Sequence, residues 1–150
     1  MKKLLHVLND FEKQAPLYLT SNKTVSEANI GWHIMHSCLV ITSITDAIMK
    51  SDPSLYKKKF SWKAFFVLLF NKIPRGKAKA PSFTQPANEV SLDMILQHIT
   101  KARNSAELLL TANKSNYFTH PIFGDLQLPT AIKFLYVHTY HHEKIIRDII

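Results

Sequence analysis

Apolar residues recur at helical spacing in four places along this 150-residue chain, and the polar stretches between them carry most of the prolines. Leu4, Leu5, Leu8 and Phe11 mark one face of a first helix over Lys2 to Lys13, which stops before Pro16. The polar run LTSNKTVSEAN supplies a turn, and Ser26 or Asn29 is placed to cap a second helix from about Glu27 to Lys50, where SDP ends it. Leu92, Ile95, Leu96, Ile99, Ala102, Ala106, Leu109 and Leu110 predict a third helix over 91–111, capped by Asn88 or Ser91. After a loop marked by Pro121 and Gly124, Pro129 or Thr130 opens a last helix that runs to Ile150. No segment shows strand alternation or an internal repeat. Residues 51–88 are the least regular: LYKKKFSWKAFFVLLFNK holds at most one short helix, and IPRGKAKAPSFTQPAN is a Pro-punctuated basic loop. The pattern predicts an all-α fold, a four-helix bundle occupying 1–150 as one domain, with a long excursion between the second and third helices.

Length supports this picture, since a chain of this size buries roughly 68–70% of its unfolded surface. The longest apolar run, Ala64 to Phe70, is far short of the ~20 residues a membrane-spanning helix needs. The single cysteine, Cys38, excludes an internal disulfide, and MKKLLHVLND lacks the features of a signal peptide, so a soluble, cytoplasmic protein is expected. The net charge of +8 has one source. Between Lys50 and Lys79 stand nine basic residues against Asp52 alone, and the rest of the chain is balanced at ten of each sign.

The chemistry lies in the histidines. With a step of ~100° per residue, His138 and His142 fall ~40° apart on the last helix, within a stripe that also holds Ala131, Leu135, Ile145 and Ile149. His141 projects about −60° from His138, toward the edge of that stripe. An i, i+4 pair puts two imidazoles one turn apart, where both reach one cation. On the second helix His36 is central among Trp32, Val40, Ser43 and Ala47, while His33 lies at the edge and Cys38 projects to the opposite side. If the two helices are neighbours, three imidazoles converge, and three protein ligands leave positions open for water or substrate. The competing reading is structural: buried histidines are commonly held by a hydrogen bond to a carboxylate or carbonyl.

The motifs GWHIMH, HPIFGDL and HTYHH together resemble the DinB-like superfamily of four-helix metal-binding proteins, most closely a branch known as a domain of unknown function. The resemblance covers essentially the whole chain and implies a metal triad at His36, His138 and His142, with His33, His120 and His141 as pocket neighbours. It implies a divalent ion, zinc or nickel first and manganese or iron next, and in some members thiol-dependent transfer or isomerisation with a small-thiol cosubstrate. Homodimers are frequent there. One departure is Ile145 and Ile146, where the superfamily frequently has a glutamine. In the HPIFG loop, Phe123 is expected to anchor in the core and Gly124 to supply a turn conformation.

Two functions from different classes follow. The first is a metal-dependent transferase or hydrolase on the triad, with no general base identified, since Glu143 projects ~140° away from His138. The second is a non-catalytic binding module whose basic segment 50–79 docks an anionic partner or membrane surface. For that segment the simpler expectation is a helix closing the end of the bundle, its aromatics buried and its lysines solvated. Nucleic acid is not expected, because no recognised nucleic-acid-binding motif accompanies the charge.

Overall fold

The computed structural model describes residues 1–76, 81–86 and 90–150. Its longer helices are α1 (Lys2–Gln14), α2 (Ile30–Lys50), α4 (Leu92–Leu108) and α5 (Leu128–Ile149), and a shorter α3 (Trp62–Phe70) lies in the excursion between α2 and α4. Local chemistry sets their starts. The Asn29 side chain accepts the Trp32 N–H at 2.9 Å, Ser91 accepts from Met94 at 3.2 Å, and Ser61 caps α3. Asn29 therefore takes the capping role, and α2 begins three residues later than its periodicity predicts. Asn88, the other candidate cap for α4, lies outside the described residues, as do Lys77 and Lys79.

Helices α1 and α2 each pack against both α4 and α5. The four thus enclose one core, to which α1 contributes Leu4, Val7, Leu8 and Phe11. Helix α2 is buried nearly all round, with Ile30, Ile34, Ile41 and Ile48 inaccessible. Its entry is tight: the Gly31 N–H donates to the Tyr18 carbonyl at 2.9 Å, and a Cβ at Gly31 would lie 3.1 Å from that oxygen. Alpha-helix is not the whole story, which corrects the all-α expectation. Residues Tyr117–His120 (β1) and Gly124–Gln127 (β2) pair antiparallel, Phe118 opposite Leu126 and His120 opposite Gly124, and β2 runs directly into α5.

The hairpin was hidden because each strand is only four residues long, too short for alternation to register. Its tertiary anchors explain why it forms. Asn116 Nδ2 donates to the Ile48 carbonyl at 2.8 Å, an oxygen at the end of α2 that also accepts from the Ser51 hydroxyl at 2.7 Å, and the Tyr117 N–H donates to Ser51 Oγ at 3.1 Å. Gly124 has φ +75°, as the residue closing a three-residue hairpin loop requires. No helix among the described residues is long and apolar enough to cross a membrane.

Candidate metal centre

Packing of α2 against α5 brings His36, His138 and His142 into one cluster, with one nitrogen from each ring within 4.8 Å of the others. The ring centroids are 4.8 Å apart for His36 and His142, 5.2 Å for His36 and His138, and 4.7 Å for His138 and His142. His36 and His142 are buried, and His138 is partly exposed. A tetrahedral ion with bonds of about 2.0–2.1 Å needs ligand nitrogens about 3.3 Å apart, so the rings have to close by no more than about 1.5 Å.

The outer contacts orient two of the rings. His36 Nδ1 lies 2.8 Å from the Thr84 carbonyl, which can only accept, so Nδ1 carries the proton and Nε2 keeps its lone pair. Thr84 ends a short 3-10 turn, Ser82–Thr84, so the Pro-punctuated excursion reaches back to the site. The indole of Trp32 stacks on His36 at 4.8 Å and 15°, fixing the plane of the ring. His142 Nδ1 lies 2.9 Å from His33 Nδ1, and His33 Nε2 lies 3.0 Å from Ser26 Oγ.

Protons can be arranged along this chain in two ways. If Ser26 donates to His33, then His33 donates to His142 Nδ1, and His142 Nε2 is protonated and closed to a cation. If His142 Nδ1–H donates to His33 Nδ1 and His33 Nε2–H donates to Ser26, the His142 Nε2 lone pair is bare. Only the second arrangement makes His142 a ligand through Nε2. Ser26 Oγ also accepts the Ala28 N–H at 3.1 Å, which leaves it room to act as the terminal acceptor. The third ring differs: His138 Nδ1 is buried without a hydrogen-bond partner among the described residues. A buried imidazole nitrogen left this way costs about 1–3 kcal/mol and is available to an added ligand.

Electrostatics hold the cluster neutral, the form in which imidazole binds metals. Burial pushes His142 and His138 well below the usual histidine range, and neighbouring imidazoles add to the effect. Burial also lowers His36, opposed by its bond to Thr84, and lowers His33 to about 4 with help from His36, His141 and Arg75. His141 is lowered to about 4, by burial first and then by Arg75 and Lys144. Arg75, which follows α3, is paired with Asp148 at 2.5 Å.

Of the other residues singled out from sequence, His120 stands close enough to His138 for its charge to help lower that ring. His120 Nδ1 accepts the N–H groups of Ile122 and Phe123 at 3.1 and 3.2 Å, and its ring stacks on Phe123 at 4.2 Å, so it holds the hairpin loop together. Glu143 is buried on the side of α5 that faces α1, where it accepts from Arg147 and Gln14. Asp46 is exposed, and Cys38 is buried with its thiol pushed up by burial. His33, expected at the edge of its face, is instead 3% exposed and in direct contact with His142. The Thr84 carbonyl was not anticipated, because a backbone acceptor leaves no mark in the residue pattern. No protein-family model, no curated protein and no solved structure matches this chain.

Proposed function

We propose that the protein is a divalent-metal protein of the DinB-like, four-helix kind, with His36, His138 and His142 as ligands and thiol-dependent transfer or hydrolysis as its reaction class. One observation carries this reading: three imidazoles from two helices offer nitrogens within 4.8 Å of one another, and two of them have outer Nδ1 partners, the Thr84 carbonyl freeing His36 Nε2 and His33 freeing His142 Nε2 when His142 Nδ1 carries the proton. Lone histidines stabilising a core would each be bonded to a carbonyl or carboxylate, and the pairing of His33 with His142 departs from that pattern. When bound, a divalent ion supplies Lewis acidity, which acidifies a coordinated water or thiol. The chain's own part is to hold three neutral donors, to fix His36 between Trp32 and Thr84, and to leave His138 partly open to an incoming molecule.

Elemental analysis of tag-free protein tests this, comparing the native chain with a His138→Ala, His142→Ala double variant. About one ion per native chain, drawn from zinc, nickel, manganese or iron and lost in the variant, is the expected result. A native chain that takes up none of these ions, or a variant that binds as the native chain does, overturns the assignment.

A further inference from the structure

Helix α3 is apolar nearly all round, and its wide side faces solvent. Projected at ~100° per residue, Trp62, Phe65, Phe66, Leu69 and Phe70 occupy a continuous arc of about 140°, while only Ala64 and Leu68 are buried on the other side. With Phe60 in the preceding turn, these side chains are 44–67% exposed. This corrects the expectation that the aromatics of this segment are buried. The rings support each other: Phe60 meets Trp62 edge-on at 4.7 Å, and Trp62, Phe66 and Phe70 stack in a row at 6.0 and 6.1 Å. Five aromatic side chains of roughly 150–250 Å² each, about half exposed, leave on the order of 500 Å² of apolar surface, the upper range for a monomer.

The surroundings of this face are cationic. Lys57, Lys58 and Lys59 precede it, Lys63 borders the arc at about 100° from Trp62, and Lys72 follows it. All five are exposed, and none is in an ion pair among the described residues. Asn71, at φ 48°, ends the helix in a left-handed cap after nine residues, far too short to cross a bilayer. An aromatic face ringed by lysines on a short helix is the chemistry of a surface that lies in the headgroup layer, rings inserted and ammonium groups on lipid phosphates.

We propose that α3 and the turn before it dock the protein onto an anionic lipid surface. A second copy of the chain is the other apolar occupant of such a face. Pairing two α3 faces about a two-fold axis would bring the lysines of each copy against those of the other, a like-charge contact that a lipid surface converts into attraction. The inference is independent of the metal centre, because no residue of the face is a candidate ligand.

The test is cosedimentation of the full chain with phosphatidylcholine vesicles containing about 30 mol% phosphatidylserine, with pure phosphatidylcholine vesicles as the control. Association is expected with the anionic vesicles, at least tenfold weaker with the neutral ones, and falling as salt rises. Lys57→Gln, Lys58→Gln, Lys59→Gln should weaken it about a hundredfold, and Trp62→Ser, Phe66→Ser, Phe70→Ser should abolish it. Every changed side chain is exposed, and circular dichroism verifies the native fold of both variants. Failure to bind anionic vesicles, equal binding to neutral ones, or undiminished binding by the aromatic variant overturns the proposal. So does self-association that the aromatic variant abolishes in a chain that ignores vesicles.

Discussion

Replacing His33 by alanine tests whether the tautomer of His142 is set from outside the triad. His33 is 3% exposed, and its side chain is hydrogen-bonded to His142 Nδ1 and Ser26 Oγ. Truncation removes the acceptor for His142 Nδ1–H, so the ring is free to turn or to move its proton to Nε2. Loss of an outer partner of this kind typically weakens metal binding 10–100-fold, about 1.4–2.7 kcal/mol. The same truncation leaves a buried cavity, which lowers the stability of the metal-free protein by an amount unrelated to tautomer. His33→Asn separates the two effects, because its side-chain oxygen stands near the place of Nδ1 and can accept while the packing loss remains. Competition with a chromophoric chelator should therefore give a 10–100-fold weaker affinity for His33→Ala and a value within about fivefold of native for His33→Asn. Nitrogen-15 spectra of the metal-free native protein should show the His142 proton on Nδ1. A folded His33→Ala protein with native affinity, or a His142 proton found on Nε2, refutes the argument.

Other consequences are as direct. Metal at a hundred times its dissociation constant should stabilise the native chain by about 2.7 kcal/mol, a rise in Tm of roughly 5–10 °C, and do nothing for the His138→Ala, His142→Ala variant. Gly124→Ala places a Cβ where the nearest foreign atom, Lys59 Cβ, is 3.9 Å away, so its cost is the left-handed backbone alone, about 1–2 kcal/mol in a denaturation curve. An unchanged midpoint would show that the loop can reach another conformation freely. His120 accepts two N–H groups on Nδ1 and is lowered by burial to about 4, below its unfolded value of about 6.5. Its native form therefore resists protonation, so its contribution is complete above about pH 6.5 and declines as pH falls toward 4. His120→Gln should flatten the acid slope of stability in that window by up to one proton, and an unaltered slope would remove His120 from the account.

How much of this was legible in the residues depends on what each inference needed. Helix positions were legible because apolar spacing and capping side chains are local, and α2 lost only its first turn to Asn29. Bringing His36 to the level of His138 and His142 needed only that α2 and α5 be neighbours. A wheel assumes one buried face, however, and this assumption misjudged two elements in opposite directions. Helix α2 lies between α4 and α5 and is buried nearly all round, so His33, at the edge of the face chosen for His36, reaches the site as well. Helix α3 is apolar nearly all round, and periodicity cannot say which side meets the protein. The hairpin was missed because its anchors, Asn116 and Ser51, act between segments about 66 residues apart.

The composition of the site also constrains what it can accept. His33, His36, His138, His141 and His142 are all biased toward neutrality, and the nearest acid in sequence, Glu143, is committed to Arg147 and Gln14 on the far side of α5. An ion held by three neutral imidazoles retains its full double positive charge, and Arg75 stands close enough to depress His33 and His141. With no carboxylate in the cluster among the described residues, a dication held there would draw its compensating charge from whatever enters the open side, so small anions and thiols would be favoured over neutral molecules of the same size. Cobalt(II)-loaded protein makes this measurable, since its visible absorption responds to a change of ligand. A small thiol or azide should alter the spectrum, whereas the corresponding methyl thioether should leave it unchanged. A spectrum indifferent to all three would mean that the fourth position is closed, and would favour a structural ion over a reactive one.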